Sequence, residues 1–466
     1  MPSSLDGLSD SELNKLGRKA TFKMDIVIMP CMVIMYILNY LDRQNIASAK
    51  LAGIEEDLNM NDTQYQTAVS ILFVGYILMQ IPSNMVLGKI KYPGVYISLA
   101  MATWGAVGSC MAAVNSFSGI IVTRFFIGLV EAVFFPGALY FLSMFYSRQQ
   151  YALRAAILFS GSQLGNAFGG LFAIAIMTLD GAHGLAGWRW LFLIEGVMTV
   201  GLGIVFAFIL PNSPASFKAF TQQERDLVRW RYEQDQGQKH DASEVSSTQG
   251  LLMALRDPKT WMLLALLYAV YISAAVTNFF PSVVGTLGYS RNITYALTAP
   301  PYILSCIIMM INGWHSDKKQ ERYLHVAIPL VVGVIANVIA VATLNTAARY
   351  VAMMLMPGSL YSATTVILSW ITGTLAQPAP KRAAAIAIIN ASCNTPNIWT
   401  PFIYTGAPRY LVAFLVNMAA AAVAVLVATY FRFYLRRQNI KLDNGVDTGR
   451  SGPTPAQRIG GFRYLL

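Results

Sequence analysis

The chain has 466 residues, 55% of them hydrophobic and only 12% charged. Soluble domains carry about 25% charged residues, so this composition excludes a water-facing exterior and implies one that faces lipid. The formal net charge of +11 raises the question of nucleic acid, which the distribution of the basic residues answers below.

The first 23 residues are polar and charged. A cleaved secretory signal would need a short apolar core and a small-residue cleavage site. The first apolar run instead continues to Tyr40 and ends in Leu41-Asp42-Arg43, so it reads as an uncleaved signal anchor. Apolar pieces of about 20 residues then recur, each long enough to cross the hydrocarbon. Twelve spans are predicted, at 24–41, 64–87, 93–114, 118–145, 152–178, 188–210, 260–281, 294–312, 325–344, 349–375, 383–404 and 409–431. The fold class is therefore an all-α polytopic membrane protein with twelve transmembrane helices in two six-helix bundles. The predicted organisation is a cytosolic N-terminal segment 1–23, a bundle 24–210, a cytosolic central loop 211–259, a second bundle 260–432 and a cytosolic tail 433–466.

Lysine and arginine set the orientation. With the N-terminus cytosolic, the cytosolic segments hold 27 of the 34 Lys+Arg. The exterior loops hold five (Arg43, Lys50, Arg291, Arg349, Arg409), and two more, Arg124 and Arg189, lie in or at spans. This asymmetry accounts for the basic charge without nucleic acid. Two Asn-x-Thr sequons, at Asn61 and Asn292, fall on the exterior side and are candidate glycosylation sites. The four cysteines lie in apolar segments and read as small buried hydrophobes, with no spacing for a metal or a disulfide framework.

The stretch Arg124 to Gly137, RFFIGLVEAVFFPG, puts two charges into an otherwise lipid-spanning helix. Arg124 and Glu131 are seven residues apart, hence on one face and about 10.5 Å apart along the axis. Each costs roughly 2.5–3.5 kcal/mol at a helix centre on insertion scales, so the pair implies partners or a polar path. A guanidinium offers a planar fork to a carboxylate and stays charged when dehydrated, which makes Arg124 the candidate anion site. Glu131 is the candidate proton-coupling group: burial disfavours its carboxylate while a nearby guanidinium favours it. The bland alternative for both is a permanent internal ion pair, with Arg124 or Arg154 as the partner of Glu131.

An internal echo supports two related halves. Leu153-Arg154-Ala155-Ala156-Ile157 opens the fifth span and Lys381-Arg382-Ala383-Ala384-Ala385-Ile386 the eleventh, and superposing the arginines puts Asn166 on Asn394. Repeated bundles with a site between them are a transporter architecture.

Several ordered motifs carry a resemblance to the major facilitator superfamily and, within it, to the fungal anion:cation symporters of allantoate, pantothenate, biotin and nicotinate. They are Leu38 to Lys50 (LNYLDRQNIASAK), Gln80-Ile81-Pro82-Ser83-Asn84, the Arg124–Gly137 pattern, and Gly187-Trp188-Arg189-Trp190 with Phe192, Glu195 and Gly196. Asp257-Pro258-Lys259 and Phe462-Arg463-Tyr464 also fit. The superfamily's cytosolic loop pattern is poor at Gly88-Lys89-Ile90-Lys91 and better at Gly313 to Lys319 with Arg322 following. The resemblance implies a gate built from Asp42 and Arg43 at the exterior end of span one, and from Arg154, Asp317 and Arg382 on the cytosolic side, with Arg382 a possible partner of Asp317. It implies substrate contacts from Tyr271, Asn278, Asn390 and Asn394, because spans seven and eleven flank the cavity in that family. Glu195 and Arg189 read as packing or gate residues.

The expected function is import of a small organic anion, a nicotinate-like monocarboxylate first, by proton symport and alternating access. The expected site is the plasma membrane, with both termini cytosolic and the protein a monomer in lipid. An exporter of a secondary metabolite or drug, or a non-transporting nutrient sensor, are the alternatives on the same fold. No enzyme, cofactor, metal or nucleic-acid partner is expected: beyond the gate motif around His315 and Asp317, the histidines are not grouped with acids, and no phosphate-binding G-x-x-x-x-G-K-[ST] loop is present.

Overall fold

The structure is a computed structural model, and it describes residues 3–5, 8–87, 90–146, 148–230, 246–375, 378–446, 452–453 and 461–466. Most of the polar segment predicted within the central loop, and the Gly88-Lys89 part of the first loop pattern, lie outside the described residues. The described residues form helices and no strand. Two compact units divide the chain, Met1–Asp241 and Ala242–Leu466.

Six long helices build the first unit: α1 (Asp10–Leu51), α2 (Asp62–Leu87), α3 (Pro93–Ala113), α4 (Phe117–Phe145), α5 (Arg148–Met177) and α6 (Gly187–Ile209). Six build the second: α7 (Pro258–Gly285), α8 (Arg291–Lys319), α9 (Tyr323–Ala342), α10 (Thr346–Thr374), α11 (Ala379–Asn394) and α12 (Leu411–Asp443). Among the described residues, ten of these stretches are long and apolar enough to cross a membrane. The other two are α2 and α11, and α11 is carried on by short helical turns over Pro396–Trp399 and Thr400–Ile403. Phe208, Leu426, Phe22 and Trp314 stand exposed while Asn39, Asp42, Glu131, Glu195 and Asn417 are buried. Apolar outside with polar inside is the reverse of a soluble domain and suits lipid as the solvent.

The packing of the first unit recurs in the second, shifted by six helices. In the first, α1 packs on α5, α2 on α4 and α3 on α6; in the second, α7 packs on α11, α8 on α10 and α9 on α12. The same shift relates two ion pairs. Arg154 of α5 holds Asp25 of α1 at 2.6 Å, and Lys381 of α11 holds Asp257, the N-cap of α7, at 2.5 Å. The echo in sequence is thus an echo in contacts, with Lys381 rather than Arg382 making the second pair.

Small residues let the helices approach. A Cβ on Gly128 of α4 would stand 1.9 Å from the carbonyl oxygen of Leu72 on α2, and one on Gly165 of α5 would stand 2.8 Å from that of Ile37 on α1. Only a residue without a side chain fits these crossings.

Prolines break three helices. Pro136 supplies no N–H to the carbonyl of Ala132, and α4 is interrupted over Ala132 and Val133, just after Glu131. Pro281 supplies no N–H to the carbonyl of Thr277, and α7 tightens into a 3₁₀ turn over Ala275–Phe279, where that carbonyl accepts from the Phe280 amide and, at 3.4 Å, from the hydroxyl of Tyr302 on α8. Pro396 ends the regular part of α11.

Two expectations are corrected here. Helix α1 continues to Leu51, so Asp42 and Arg43 lie inside it rather than at the end of the helix. Of the cysteines, all four are free, Cys31 and Cys393 are buried, and Cys110 is exposed in the last turn of α3.

The end of the chain is docked on the second unit. The carbonyl oxygen of Leu466 accepts from the amides of Arg322 (2.6 Å) and Tyr323 (3.3 Å), which open α9. Asn439 of α12 bonds both the N–H and the C=O of Tyr464 at 2.9 Å each, and Trp370 of α10 donates to the Leu465 carbonyl at 3.0 Å. Lys259, at the start of α7, lies 5.5 Å from the buried Tyr464 ring.

Candidate functional site

Helix α1 supplies Tyr40, Asp42, Arg43 and Asn45; α2 supplies Phe73 and Tyr76; α3 supplies Trp104; α4 supplies Arg124 and Glu131; and α6 supplies Glu195. These residues meet because α1 crosses α6 and α4 packs on both α2 and α3.

The partner of Glu131 is Arg43. Its Nε stands 2.8 Å from Glu131 Oε2, and neither Arg124 nor Arg154 makes that bond. Glu131 is 0% exposed while the Arg43 side chain is 16% exposed, so the solvent-touching member is the arginine. Aromatic rings sheath the guanidinium, with the centroids of Tyr76 at 4.7 Å and Tyr40 at 5.5 Å. The electron-rich ring faces hold the cation without neutralising it. Arg43 therefore lies in the interior of the first unit, paired to α4. No motif reading distinguished it from the adjacent Asp42. The signal that could have done so is the helical register: residues 36, 40 and 43 share one face of α1.

Arg124 is 1% exposed. Its Nε donates to the carbonyl oxygen of Ala68 on α2 at 3.3 Å, and its Nη1 has no hydrogen-bond partner among the described residues. Glu131 and Asp42 are its acidic neighbours. A buried guanidinium with an unused donor can take one more oxygen acceptor, which is the chemistry of an anion site. Asp42 is buried as well, and its Oδ2 accepts from Trp104 Nε1 at 3.0 Å. Asn45, three residues on, donates through Nδ2 to Oε2 of Glu195, which is fully buried. Glu195 thus sits in the polar interior of the first unit.

The remaining gate candidates divide. Arg154 forms a two-point ion pair with Asp25, at 3.1 Å from Nε and 2.6 Å from Nη2. Asp25 therefore ties α1 to α5. Asp317, in the last turn of α8, takes Arg322, the N-cap of α9, at 2.6 Å, and Arg382 is half-buried at the start of α11. Of the two sequons, Asn61 caps α2 through a 2.9 Å bond from the Gln64 amide, and Asn292 is exposed in the first turn of α8.

In the second unit, the two helix breaks meet. Asn278, in the 3₁₀ turn of α7, donates to Asn397 Oδ1 at 2.8 Å, and Asn397 Nδ2 reaches the Asn394 carbonyl at 3.4 Å. Asn394 spends its own amide on the Asn390 carbonyl at 2.8 Å. Tyr271, Asn278, Asn390 and Asn394 are each half-buried. Asn397, which is not among the four candidates, thereby links Asn278 to Asn394. Among the described residues, no group of three or more His, Cys, Asp or Glu could hold a metal ion.

Comparison with known proteins agrees with this architecture. Residues 32–401 match the family model described as Major Facilitator Superfamily. An uncharacterized transporter of Schizosaccharomyces pombe, C1683.12, is 30% identical over 454 residues, covering 96% of this chain and 93% of its own. A second from the same yeast, C1002.16c, is 29% identical over 446 residues, covering 93% and 87%. Among solved structures, a bacterial homologue of the human lysosomal transporter Spinster, inward-facing and unoccupied, superposes with a TM-score of 0.67 at 16% identity, covering 87% of this chain and 95% of that one.

Proposed function

Because the chain belongs to the Major Facilitator Superfamily, we propose that it is a secondary carrier importing a small organic anion with protons by alternating access, as the fungal anion:cation symporters it resembles do. The single observation that supports this reading is the buried Arg43–Glu131 pair beside the unfilled Nη1 of Arg124. A substrate carboxylate is received by the guanidinium groups and displaces Glu131 from Arg43. Glu131, left in a dry interior without its cation, then takes a proton. Anion and proton enter the same cavity as a neutral set, and the helices close around it. When the cavity opens to the cell interior, the proton leaves, Glu131 reclaims Arg43, and the anion is expelled.

The preferred cargo is a singly charged ring acid of nicotinate type. One carboxylate suits the guanidinium pole, and the Tyr40 and Tyr76 rings beside Arg43 suit a flat, uncharged body. The amides of Asn278, Asn390 and Asn394, with Tyr271, are the corresponding candidates in the second unit. In this reading the carrier works in the plasma membrane of a fungal cell, with both termini cytosolic.

The test is uptake of labelled nicotinate, pantothenate and allantoate at two external pH values, in cells lacking their own permeases. Symport requires faster uptake at the more acid pH. Uptake of every acid indifferent to external pH removes the coupling, and no uptake of any of them removes the cargo class.

A further inference from the structure

Glu195 is the buried ionisable group that the cycle above does not use. It lies in α6, nine residues into a helix that is otherwise apolar at its centre, and it is 0% exposed. From α1 it faces Asn45, which donates to Oε2, and Asp42, its acidic electrostatic neighbour. From α3, Trp104 directs its N–H to Asp42 instead. The charged residues of α4, Arg124 and Glu131, are neighbours of Asp42. Among the described residues no lysine, arginine or histidine pairs with Glu195, and its Oε1 has no hydrogen-bond partner.

Charge balance makes this arrangement informative. The interior of the first unit brings together three carboxyl groups, Asp42, Glu131 and Glu195, against two guanidinium groups, Arg43 and Arg124. Arg43 is committed to Glu131 and Arg124 neighbours both Glu131 and Asp42. Glu195 is the carboxyl left without a cation. An isolated ionised carboxylate in a dry interior is so costly that such a group neutralises. The one N–H that Asn45 donates stabilises a carboxylate, but by less than the cost of burying that charge without a cation.

We infer that Glu195 holds a proton in this state and carries it through the transport cycle, as a proton site separate from Glu131. The proton enters from water when the interior is wetted, rests on the Glu195 carboxyl while the unit is closed, and leaves as Glu195 ionises on the opposite side. No bond other than O–H is made or broken. Asn45 is the positioning residue: one turn beyond Asp42, it fixes the Glu195 carboxyl against α1, so that movement of α1 exposes or encloses the acid. This inference rests on the proton-symport reading and adds a second proton to it.

The experiment uses the full chain in liposomes, with the membrane potential clamped at zero and a pH gradient imposed. The probe is radiolabelled nicotinate, or the rival acid that the uptake screen ranks first. Each co-transported proton raises the accumulation limit about tenfold per unit of pH gradient, since a factor of ten corresponds to about 1.4 kcal/mol. Glu195→Gln keeps an oxygen for Asn45 and cannot release a proton. Its limit is expected about tenfold below wild type per pH unit, with substrate counterflow preserved. A limit equal to wild type overturns the inference, because a purely structural Glu195 is replaced by glutamine without loss. Should that variant not fold, infrared spectra of the wild-type protein at neutral pH decide. A protonated-carboxyl stretch that moves in Glu195→Asp supports the assignment, and no such band defeats it. If wild-type accumulation itself ignores the pH gradient, symport as a whole fails; if wild type follows the gradient and Glu195→Gln matches it, only the role of Glu195 fails.

Discussion

Arg43 of α1 and Glu131 of α4 are bonded across the interior of the first unit, 2.8 Å from Nε to Oε2, although 88 positions separate them in the chain. Arg124, on the same helix as Glu131, instead gives its Nε to a main-chain carbonyl of α2. The two arginines therefore have different work: one neutralises the acid, the other keeps a donor in reserve.

Transport separates these roles. Arg124→Ala is expected to abolish uptake, because the reserved donor has no substitute. Glu131→Gln is expected to keep counterflow exchange and lose accumulation driven by the pH gradient. Normal uptake by Arg124→Ala removes the anion-clamp role, and gradient-driven accumulation by Glu131→Gln removes the coupling role.

Stability separates them too. Arg43→Gln leaves Glu131 buried without its cation, a loss of about 3–5 kcal/mol. Adding Glu131→Gln to that variant restores most of it, since no uncompensated charge remains. Thermal melts of the two single variants and the double variant in detergent form the cycle. Strictly additive losses would mean that the pair is not coupled.

The α2–α4 crossing tolerates no side chain at Gly128. Gly128→Val drives its Cβ into the Leu72 carbonyl, and overpacking of this kind costs about 1–3 kcal/mol or more. Gly201, which has nothing within 4 Å of such a Cβ, serves as the control, and Gly201→Val is expected to melt within a degree or two of wild type. Equal melting temperatures for both variants contradict the crossing.

The docked tail has a readout away from the mutation. Asn439→Ala removes both hydrogen bonds to Tyr464, at roughly 1–3 kcal/mol. With Tyr464 loosened, the amides of Arg322 and Tyr323, which donate to the Leu466 carbonyl, should exchange hydrogen faster. Unchanged exchange at those two amides means the tail stays seated without Asn439.

Acid should weaken one clamp outside the membrane region. Burial alone pushes the Glu224 carboxyl up, but the Lys23 ammonium at 2.6 Å and the Thr221 amide at 2.8 Å outweigh it and hold it below its ordinary 4.5. A depressed folded-state value means that the contribution is complete above pH 4.5 and is lost as pH falls through the lower value. Glu224→Gln is therefore expected to melt below wild type at pH 7, with the gap closing as pH drops beneath 4.5. A gap that is constant with pH refutes this.

Much of the architecture was legible in the chain. Apolar runs of membrane length, the bias of lysine and arginine and the echo around Arg154 and Arg382 each record a local or compositional constraint that lipid imposes on any sequence. Buried charge was legible for the same reason: Arg124 and Glu131 stand out because their helix has no other reason to carry them. Partner choice was not. Asp42 and Arg43 look alike at the end of an apolar run, and only the crossing of α1 against α4 and α6 aims one at Glu131 and turns the other toward Trp104. The order of Asn278, Asn394 and Asn397 was hidden likewise, since it depends on where two proline-broken helices meet.

The sequence by itself determined that this protein is a twelve-helix membrane chain in two related halves with charge sunk in its fourth span, because solvent and helix period act residue by residue. Tertiary structure alone decided that Arg43 neutralises Glu131, that Glu195 is left to Asn45, and that Lys381 rather than Arg382 answers Asp257. Those outcomes depend on helix rotation and crossing, and a buried charge takes the partner that geometry brings within reach, however far away in the chain it lies.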